Sequence, residues 1–401
     1  MMSAEWIYGS LGSLFDTVTG STPPKSNPKN YGDDMLFVKP PELKDGPIIE
    51  TADGLSHHGS LIARILPAGS ILVSCIGNLG KVGLAECPVA FNQQINAIKP
   101  SDKALPLFMF YQSQAPNFLS QLENLASGTT VPIVNKSKFN SIQVAIPLIP
   151  EQHRIVAILD QAFADIEKAR ANAEKNLKNA RELFDSYLNQ VFSQRGEDWV
   201  ELSLKEASID FGRGKSKHRP RNDESLYGGD YPFVQTGEVR NCNHVINNYA
   251  KTYNEKGLAQ SKLWPKGTIC ITIAANIAET GILGFDGCFP DSIIGVVVDP
   301  KVTRVSYVEF LLQSFRLILK AKGQGSAQDN INLGTFENMK FPFPTIKDQE
   351  EIIALLGELT TNIQRVEEVY LAKLVAIEEL KKSLLQKAFS GELTKDKGIA
   401  A

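Results

Sequence analysis

The chain has 401 residues, 43% of them hydrophobic and 22% charged, so it is long enough for two or more globular domains. Its formal net charge of −3 weakly disfavours a nucleic-acid partner but leaves room for a local basic patch. The five cysteines include no CxxC pair, so neither a zinc site nor a disulfide framework is expected. We find no secretory leader and no apolar run long enough to cross a bilayer, which predicts a cytoplasmic protein.

The first globular segment, residues 1–147, reads as short β-branched strands broken by Gly, Pro and Asn, which predicts a mixed α and β domain. Two of its loops are candidate ligand contacts. The loop TGSTPPKSNPKN at 19–30 contains Lys25, Ser26, Asn27 and Lys29. A second loop contains Thr129 and Thr130, small residues that would allow close approach to a ligand; a plain turn is the alternative for this loop.

A long helix is predicted over 148–196, and the proline-rich stretch IPLIPEQ at 146–152 forms its start. Its apolar residues recur in steps of three and four, which is typical of a heptad seam with one irregular step. At 1.5 Å per residue, about 44 helical residues span roughly 65 Å. The residues chosen to mark this seam are Ile155, Leu159, Ile166, Leu177 and Phe184.

The second globular segment, 197–344, loosely repeats the first: YGDDMLFV at 31–38 is answered by YGGDYPFV at 227–234. In place of the first polar loop it has a basic run. Because arginine grips guanine with two hydrogen bonds and lysine neutralises phosphates, this run predicts contact with nucleic acid. A solvated loop without a ligand is the alternative. The candidate contacts are Arg213, Lys215, Lys217, Arg219 and Arg221, with Gln328 in a second loop that matches Thr129 and Thr130.

A second long helix is predicted within 345–401, and every landmark of the first helix returns 197 residues later. Of eleven seam positions, ten remain apolar in this copy. Two matched seams of this length predict that the two helices pack on each other; packing of each helix on its own globule is the alternative. The residues that mark the second seam are Ile352, Leu356, Ile363, Leu374 and Leu384.

Three short motifs resemble catalytic signatures but lack the partners that the chemistry needs. The GKS at 214–216 has no glycine at the position that a phosphate-binding loop requires. Asp291 and Asp299 flank a predicted strand, which would separate them by about 25 Å, too far for one metal ion. The NPKNY at 27–31 lacks the second proline of a methyltransferase loop, and His153 has no acidic, Ser or Cys partner at a telling spacing. We therefore predict no catalytic residue and no metal site.

The stretch SGTTVPIVNKSKFNSIQVAIPLIPEQHRIVAIL at 127–159, the ending QKAFSGEL at 386–393 and the tandem arrangement carry a family resemblance. Together they resemble the DNA specificity subunit of type I restriction–modification enzymes, over the whole chain. The second helix start departs from the family pattern, because it reads FPTIKDQ where a proline-rich PLIPEQ is expected; Gln349 is kept.

The resemblance implies an α+β protein with two target recognition domains, 1–147 and 197–344, and two spacer helices that form an antiparallel coiled coil with a pseudo-twofold repeat. Each recognition domain is expected to read one half of a bipartite, asymmetric site in double-stranded DNA. Two methyltransferase subunits would dock on this non-catalytic subunit, and restriction/translocase subunits would complete the complex. No cofactor is expected on this chain: S-adenosylmethionine belongs to the methyltransferase partner, and ATP and Mg to the restriction partner.

Two other classes stay open at the level of sequence. One is an adaptor in which two globules on a coiled coil bind proteins and not DNA, an interpretation that the weak overall charge allows. The other is a self-contained methyltransferase or nuclease, which the missing cofactor and metal motifs disfavour.

Overall fold

A computed structural model describes residues 6–128, 130–194, 196–218, 220, 223–274, 277–323 and 332–394. The chain divides into two compact units, Met1–Glu174 with Leu371–Ala401, and Lys175–Tyr370. Each unit therefore combines one globular segment with one part of each long helix. We call them unit 1 and unit 2.

Unit 1 contains eleven strands within its described residues, arranged in a two-stranded, a five-stranded and a four-stranded sheet. The strands are β1 (Ile7–Ser10), β2 (Thr17–Thr19), β3 (Tyr31–Val38), β4 (Gly46–Ile48), β5 (Gly54–Leu55), β6 (Ile65–Leu66), β7 (Ile71–Ser74), β8 (Val82–Ala85), β9 (Val89–Phe91), β10 (Ile95–Ile98) and β11 (Gln143–Ile146). The helices are α1 (Leu11–Leu14), α2 (His57–Ser60), α3 (Pro106–Gln114), α4 (Pro116–Asn124), α5 (Lys136–Asn140) and the first part of α6 (Ile149–Ser193).

Unit 2 follows with a second set of elements. Its strands are β12 (Val200–Leu202), β13 (Ser208–Arg213), β14 (Tyr227–Phe233), β15 (Val245–Ile246), β16 (Lys251–Tyr253), β17 (Ile269–Thr272), β18 (Thr280–Leu283), β19 (Ile293–Val298) and β20 (Phe341–Phe343). Its helices are α7 (Thr236–Asn241), α8 (Glu255–Ala259), α9 (Val305–Gly323), α10 (Leu333–Asn338) and the first part of α11 (Ile346–Phe389).

The two units share the strand order of their central sheet, while the third sheet has four strands in unit 1 and two in unit 2. The central sheet has the order β2-β10-β7-β8-β4 in unit 1 and β13-β19-β17-β18-β15 in unit 2. The last pair of each sheet is parallel, β4 with β8 and β15 with β18, while the other pairs are antiparallel. A two-stranded sheet joins the first and last strands of each globule, β1 with β11 and β12 with β20. This shared order confirms the internal repeat that the sequence predicts.

The main hydrophobic core of each unit continues into its helical part. In unit 1, Ile155 and Leu159 of α6 and Leu385 of α11 are buried together with the side chains of α3. In unit 2, Leu188 of α6 and Leu356 of α11 are buried with the side chains of α9. Because fully burying one such side chain stabilises a fold by about 1.5–3 kcal/mol, these contacts fix the helices to the globules.

Within each unit the two helices run antiparallel. In unit 1, Lys381 lies 5.4 Å above the ring of Phe163, and Arg170 forms an ion pair of 3.0 Å with Glu378. From Phe163 to Arg170 the chain advances along α6, while their partners on α11 go back from Lys381 to Glu378, so the two helices run in opposite directions. In unit 2 the corresponding ion pair is Arg181 with Glu367, at 2.6 Å.

None of the residues predicted to mark the seam is exposed. Of the ten marker residues, Ile155, Leu159, Ile166 and Leu356 are buried and the other six are half-buried. Lys381 occupies the polar seam position of the second copy, and its alkyl stem allows it to remain half-buried above Phe163.

The two helix starts use different caps on the same scaffold. In α6 the carbonyl of Leu148 accepts from the backbone N–H groups of Glu151 and Gln152. In α11 the side chain of Thr345 accepts from the N–H of Asp348, which offsets the loss of the proline-rich sequence. Both first turns carry an acidic residue, which is favourable at the positive end of a helix.

A fully buried glutamine fastens each helix start to its globule. The Gln152 side chain accepts from the N–H of Leu105 at 2.8 Å and donates to the carbonyls of Lys103 and Pro147 at 2.9 and 2.8 Å. Gln349 repeats this geometry: it accepts from the N–H of Arg304 and donates to the carbonyls of Val302 and Pro344. The hydroxyl of Thr303 also donates to Gln349, at 2.8 Å. All other partners of the two glutamines are backbone groups, so both units can form this arrangement although their side chains differ.

Replacing this glutamine by leucine is expected to destabilise the unit that contains it. Gln152→Leu keeps much of the volume but leaves a buried N–H and two carbonyls unpaired, which costs on the order of 1–3 kcal/mol for each unsatisfied group. A urea titration followed by circular dichroism measures the effect. The exposed Gln190→Leu, on α6, is the control, and an equal midpoint for both variants would contradict the assignment.

Candidate nucleic-acid interface

The first candidate loop, residues 19–30, is exposed at its tip and braced at its base. Lys25, Ser26 and Lys29 are exposed. Asn27 has a different role, because its side chain caps a 3-10 turn by accepting from the N–H of Lys29 at 3.2 Å. The buried Asn30 donates to the carbonyl of Pro24 at 2.9 Å and so holds the loop closed. The loop therefore offers two lysines and a serine to a ligand on a fixed backbone.

A buried asparagine connects both candidate loops of unit 1. Asn96 on β10 accepts from the hydroxyl of Thr19 at 2.6 Å, where the first loop begins, and donates to the carbonyl of Val134 at 3.2 Å, where the second ends. The second loop is closed by paired backbone hydrogen bonds between Ser127 and Ile133. Thr130 in this loop is exposed, while Thr129 lies outside the described residues. Sequence reasoning missed Asn96, since a single asparagine in an apolar strand gives no distinctive signal.

In unit 2 the basic loop leaves β13 beside the strand β19. Arg213, Lys215 and Lys217 are exposed, whereas Arg219 and Arg221 lie outside the described residues, as does Gln328. Gly214 is required at the exit, because a Cβ there would lie 2.2 Å from the carbonyl oxygen of Phe289. The backbone between these cations is tied down: the carbonyl of Lys215 accepts from the hydroxyl of Ser261 at 2.8 Å.

The end of the basic loop is stabilised by local electrostatics. The hydroxyl and the backbone N–H of Ser225, followed by the imidazole of His218, lower the pKa of Asp223 to about 2. His218 and Asp223 are 2.7 Å apart through Nε2 and Oδ2. Asp223 is thus ionised at neutral pH and is occupied by protein donors, so it does not act as a free negative charge beside the lysines.

A short helix braces the candidate loop in both units. Ser56 caps α2 and Asn254 caps α8, each by accepting from the N–H of a glycine, Gly59 or Gly257. A Cβ on either glycine would clash with a backbone carbonyl at the start of β3 or β14, at 1.9 Å from Asn30 and 2.4 Å from Leu226. This close approach requires glycine and holds the two loops at matching places in the shared topology.

Unit 2 also has a groove that the candidate residues did not include. Its volume is about 840 Å³, and it is lined by α7 and the turn that follows it. The lining contains an unusual number of amide side chains: Gln235, Asn241, Asn243, Asn247 and Asn248. A smaller cavity of about 180 Å³ shares Gln235 and Thr236 with this groove and is also lined by Ser216 of the basic loop. We call the larger cavity the amide groove.

His244 holds the turn beside the amide groove in a conformation that is unusual for a residue with a side chain. Its φ is +60°, and Asp45 has φ of +55° at the corresponding place before β4. The ring of His244 points inward, where Nδ1 lies 2.9 Å from the carboxylate of Glu309, which is 2% exposed. Burial by itself lowers the pKa of His244, but the hydrogen bond and charge of Glu309 outweigh it and raise the pKa above its ordinary value.

The residues that resemble catalytic groups in the sequence lie apart from one another. His153 is exposed in the first turn of α6. Asp291 and Asp299 flank β19 on opposite ends, as expected. In the part of the chain that the structure describes, no group of three or more His, Cys, Asp or Glu side chains is arranged to hold a metal ion.

Comparison with known sequences identifies the class of protein to which this duplicated α+β fold belongs. The profile of the family described as type I restriction modification DNA specificity domain matches the chain twice, over residues 3–175 and 196–371. The chain belongs to this family. Both matches begin at a globule and extend into a long helix, so the family unit coincides with the internal repeat.

Relatives and solved structures agree with this assignment. The chain is 34% identical over 193 residues to the type I restriction enzyme HindI specificity subunit of Haemophilus influenzae, across 47% of this chain and 41% of that protein. It is 21% identical to the MjaIX specificity subunit of Methanocaldococcus jannaschii, over 97% and 94% of the two chains.

Two solved structures show the same fold at low identity. One, from a study of complex assembly and conformational transition of the type I R-M system, has a TM-score of 0.80 at 19% identity, covering 97% of this chain and 98% of that chain. The HsdS subunit from Thermoanaerobacter tengcongensis has a TM-score of 0.59 at 18% identity, covering 97% of each chain.

The chain is a specificity subunit of a type I restriction–modification system, and its role is DNA sequence recognition rather than catalysis. The family resemblance that the sequence carries is thereby confirmed. No described helix is long and apolar enough to cross a membrane.

The His244–Glu309 pair predicts a pH dependence of stability in unit 2. Because the folded pKa of His244 is raised, its contribution is fully present below the unfolded pKa of about 6.5 and is lost as the pH rises through the folded value. Thermal unfolding measured between about pH 5.5 and 8.5 should show this loss. Glu309→Gln should flatten the profile, and the exposed His153→Gln should leave it unchanged; identical profiles for wild type and Glu309→Gln would contradict the prediction.

Proposed function

We propose that the two units read the two halves of a bipartite, asymmetric site in double-stranded DNA. The observation that carries the proposal is the shared topology with unlike loops. The same place in the fold presents two lysines and a serine in unit 1 but Arg213, Lys215 and Lys217 in unit 2. Like scaffolds that hold unlike polar surfaces suit recognition of two different half-sites.

We further propose that the helices set the distance between the half-sites and supply a docking surface for two methyltransferase subunits. Their antiparallel direction in each unit supports the first point. For the second, α11 carries large apolar side chains on one exposed face in unit 1: Leu371 and Val375, one turn apart, are 50% and 60% exposed. Clusters of exposed apolar residues often mark protein interfaces.

In this proposal the chemistry belongs to the partners. S-adenosylmethionine is bound by the methyltransferase subunits, and ATP and Mg²⁺ by restriction/translocase subunits that join the complex. This chain contributes the recognition surface and its spacing. The direct test is methylome sequencing of a host that expresses this subunit with its methyltransferase partner: a two-part motif with a fixed gap is expected, and methylation without a two-part motif would overturn the proposal.

The length of the helices should determine the gap in the motif. Removing one heptad from each of α6 and α11 keeps the seam in register and shortens the pair by about 10 Å. At about 3.4 Å per base pair, the gap should shrink by about three base pairs while both half-site sequences stay the same. The methylome of the variant measures the gap. Altered half-sites with an unchanged gap would contradict the proposal that helix length sets the gap.

The exposed lysines of the first loop should supply affinity without sequence preference. The double variant Lys25→Ala/Lys29→Ala is expected to weaken binding to cognate and unrelated DNA alike, and to reduce the slope of log K against log salt by about 0.9 for each phosphate that is no longer neutralised. Fluorescence anisotropy of the methyltransferase complex on labelled duplexes measures both. The matched control is Lys168→Ala, an exposed lysine of unit 1 on α6 and outside both candidate loops. An unchanged slope in the double variant would show that these lysines do not contact DNA.

A further inference from the structure

The amide groove of unit 2 is a cleft whose lining is dominated by one kind of side chain. Four asparagines occur within the eight residues 241–248, and Gln235 lies at the other end of α7. Asn241, Asn247 and Asn248 are exposed, and no described residue forms a hydrogen bond with their side chains. Amides that are exposed and unpaired at a concave surface are available to a ligand.

The backbone that presents these amides is rigid. Val239 of α7 and Ile246 of β15 are each 1% exposed and anchor the segment in a core with Trp264. His244, which lies between Asn243 and β15, has a left-handed backbone conformation, and its ring is directed to Glu309. Asn243 is held by Gln364 of α11, whose amide donates to its side-chain oxygen at 3.1 Å. A backbone that is already ordered reduces the entropy lost when these side chains bind a ligand, which favours specific recognition.

The charge of the groove argues for base edges and against phosphates. Among the described residues, its lining includes no lysine or arginine. Glu238, the one carboxylate among them, already accepts from the N–H groups of Gln235 and Ala250. Phosphates are bound by cations, and the neighbouring basic loop supplies those. The 180 Å³ cavity, which shares two residues with the groove and contains Ser216, places this loop next to it.

We propose that the amide groove reads adenine bases in the major groove of the half-site bound by unit 2. The side-chain amide of asparagine or glutamine carries a donor and an acceptor in one plane, and these match N7 and the N6 amino group of adenine. This inference rests on the proposed function, and it deepens that function by assigning base reading to named residues.

The corresponding segment of unit 1 has another chemistry. Residues 39–48 read KPPELKDGPI and contain neither asparagine nor glutamine. This segment joins β3 to β4, as the amide-rich segment joins β14 to β15. The two units would therefore read different bases at this place, which agrees with an asymmetric site.

The test is a selection from randomised duplex DNA, performed with the full chain in its methyltransferase complex. The variants are Asn241→Ala, Asn247→Ala and Asn248→Ala, singly and together, each checked for an unchanged unfolding midpoint. The matched control is Asn338→Ala, an exposed asparagine of unit 2 outside the groove, bonded only to the carbonyl of Gly334 among the described residues.

At least one groove variant is expected to lose about 5- to 150-fold discrimination at an A·T pair in one half-site, the range for one bidentate contact. The other half-site and the affinity for unrelated DNA should stay as in wild type, and Asn338→Ala should match wild type. Unchanged preference in all groove variants, or a uniform loss of affinity, would overturn the inference; a groove that binds a protein would give the first result. Relaxation at a G·C pair would overturn the adenine assignment. If wild type itself selected no two-part site, the proposed function would fail instead.

Discussion

The buried glutamine at each helix start is the constraint on which the rest of the structure depends. Gln152 and Gln349 accept a backbone N–H of their own globule and donate to carbonyls on both sides of the joint. A buried amide left without these partners would be costly, so the helix has one satisfactory orientation on its globule. A rigid joint lets a helix act as a spacer, because the length of the helix then determines where the recognition surface lies. With a flexible joint it would not.

Around this joint, the features that repeat are those that the backbone requires. Gly59 and Gly257 allow the same close approach, and Asp45 and His244 occupy the same left-handed turn. The exposed side chains between these fixed points have diverged, from a lysine-containing loop in unit 1 to a basic loop and an amide groove in unit 2. Recognition can therefore change by surface substitution while the scaffold remains the same.

The net charge of −3 is compatible with DNA binding because the two candidate loops, 19–30 and 213–221, contain lysines or arginines and no acidic residue. Several carboxylates are paired within the units, such as Glu378 with Arg170, Glu367 with Arg181 and Asp223 with His218. The cations of the loops point to solvent. Phosphate attraction falls within a Debye length of about 8 Å, so the local excess of positive charge matters more than the total.

The sequence by itself determined the repeat, the two helices and the family, because periodicity and landmark spacing are local and leave a direct trace in the chain. It also located the candidate loops. Only the tertiary structure decided that Asn27 is a cap, that Asn96 joins two loops and that four asparagines line one groove. The run of asparagines is visible in the sequence, but its meaning is not, since asparagine serves equally in turns and at caps. Which polar side chains remain free for DNA depends on the partners that folding brings to the others.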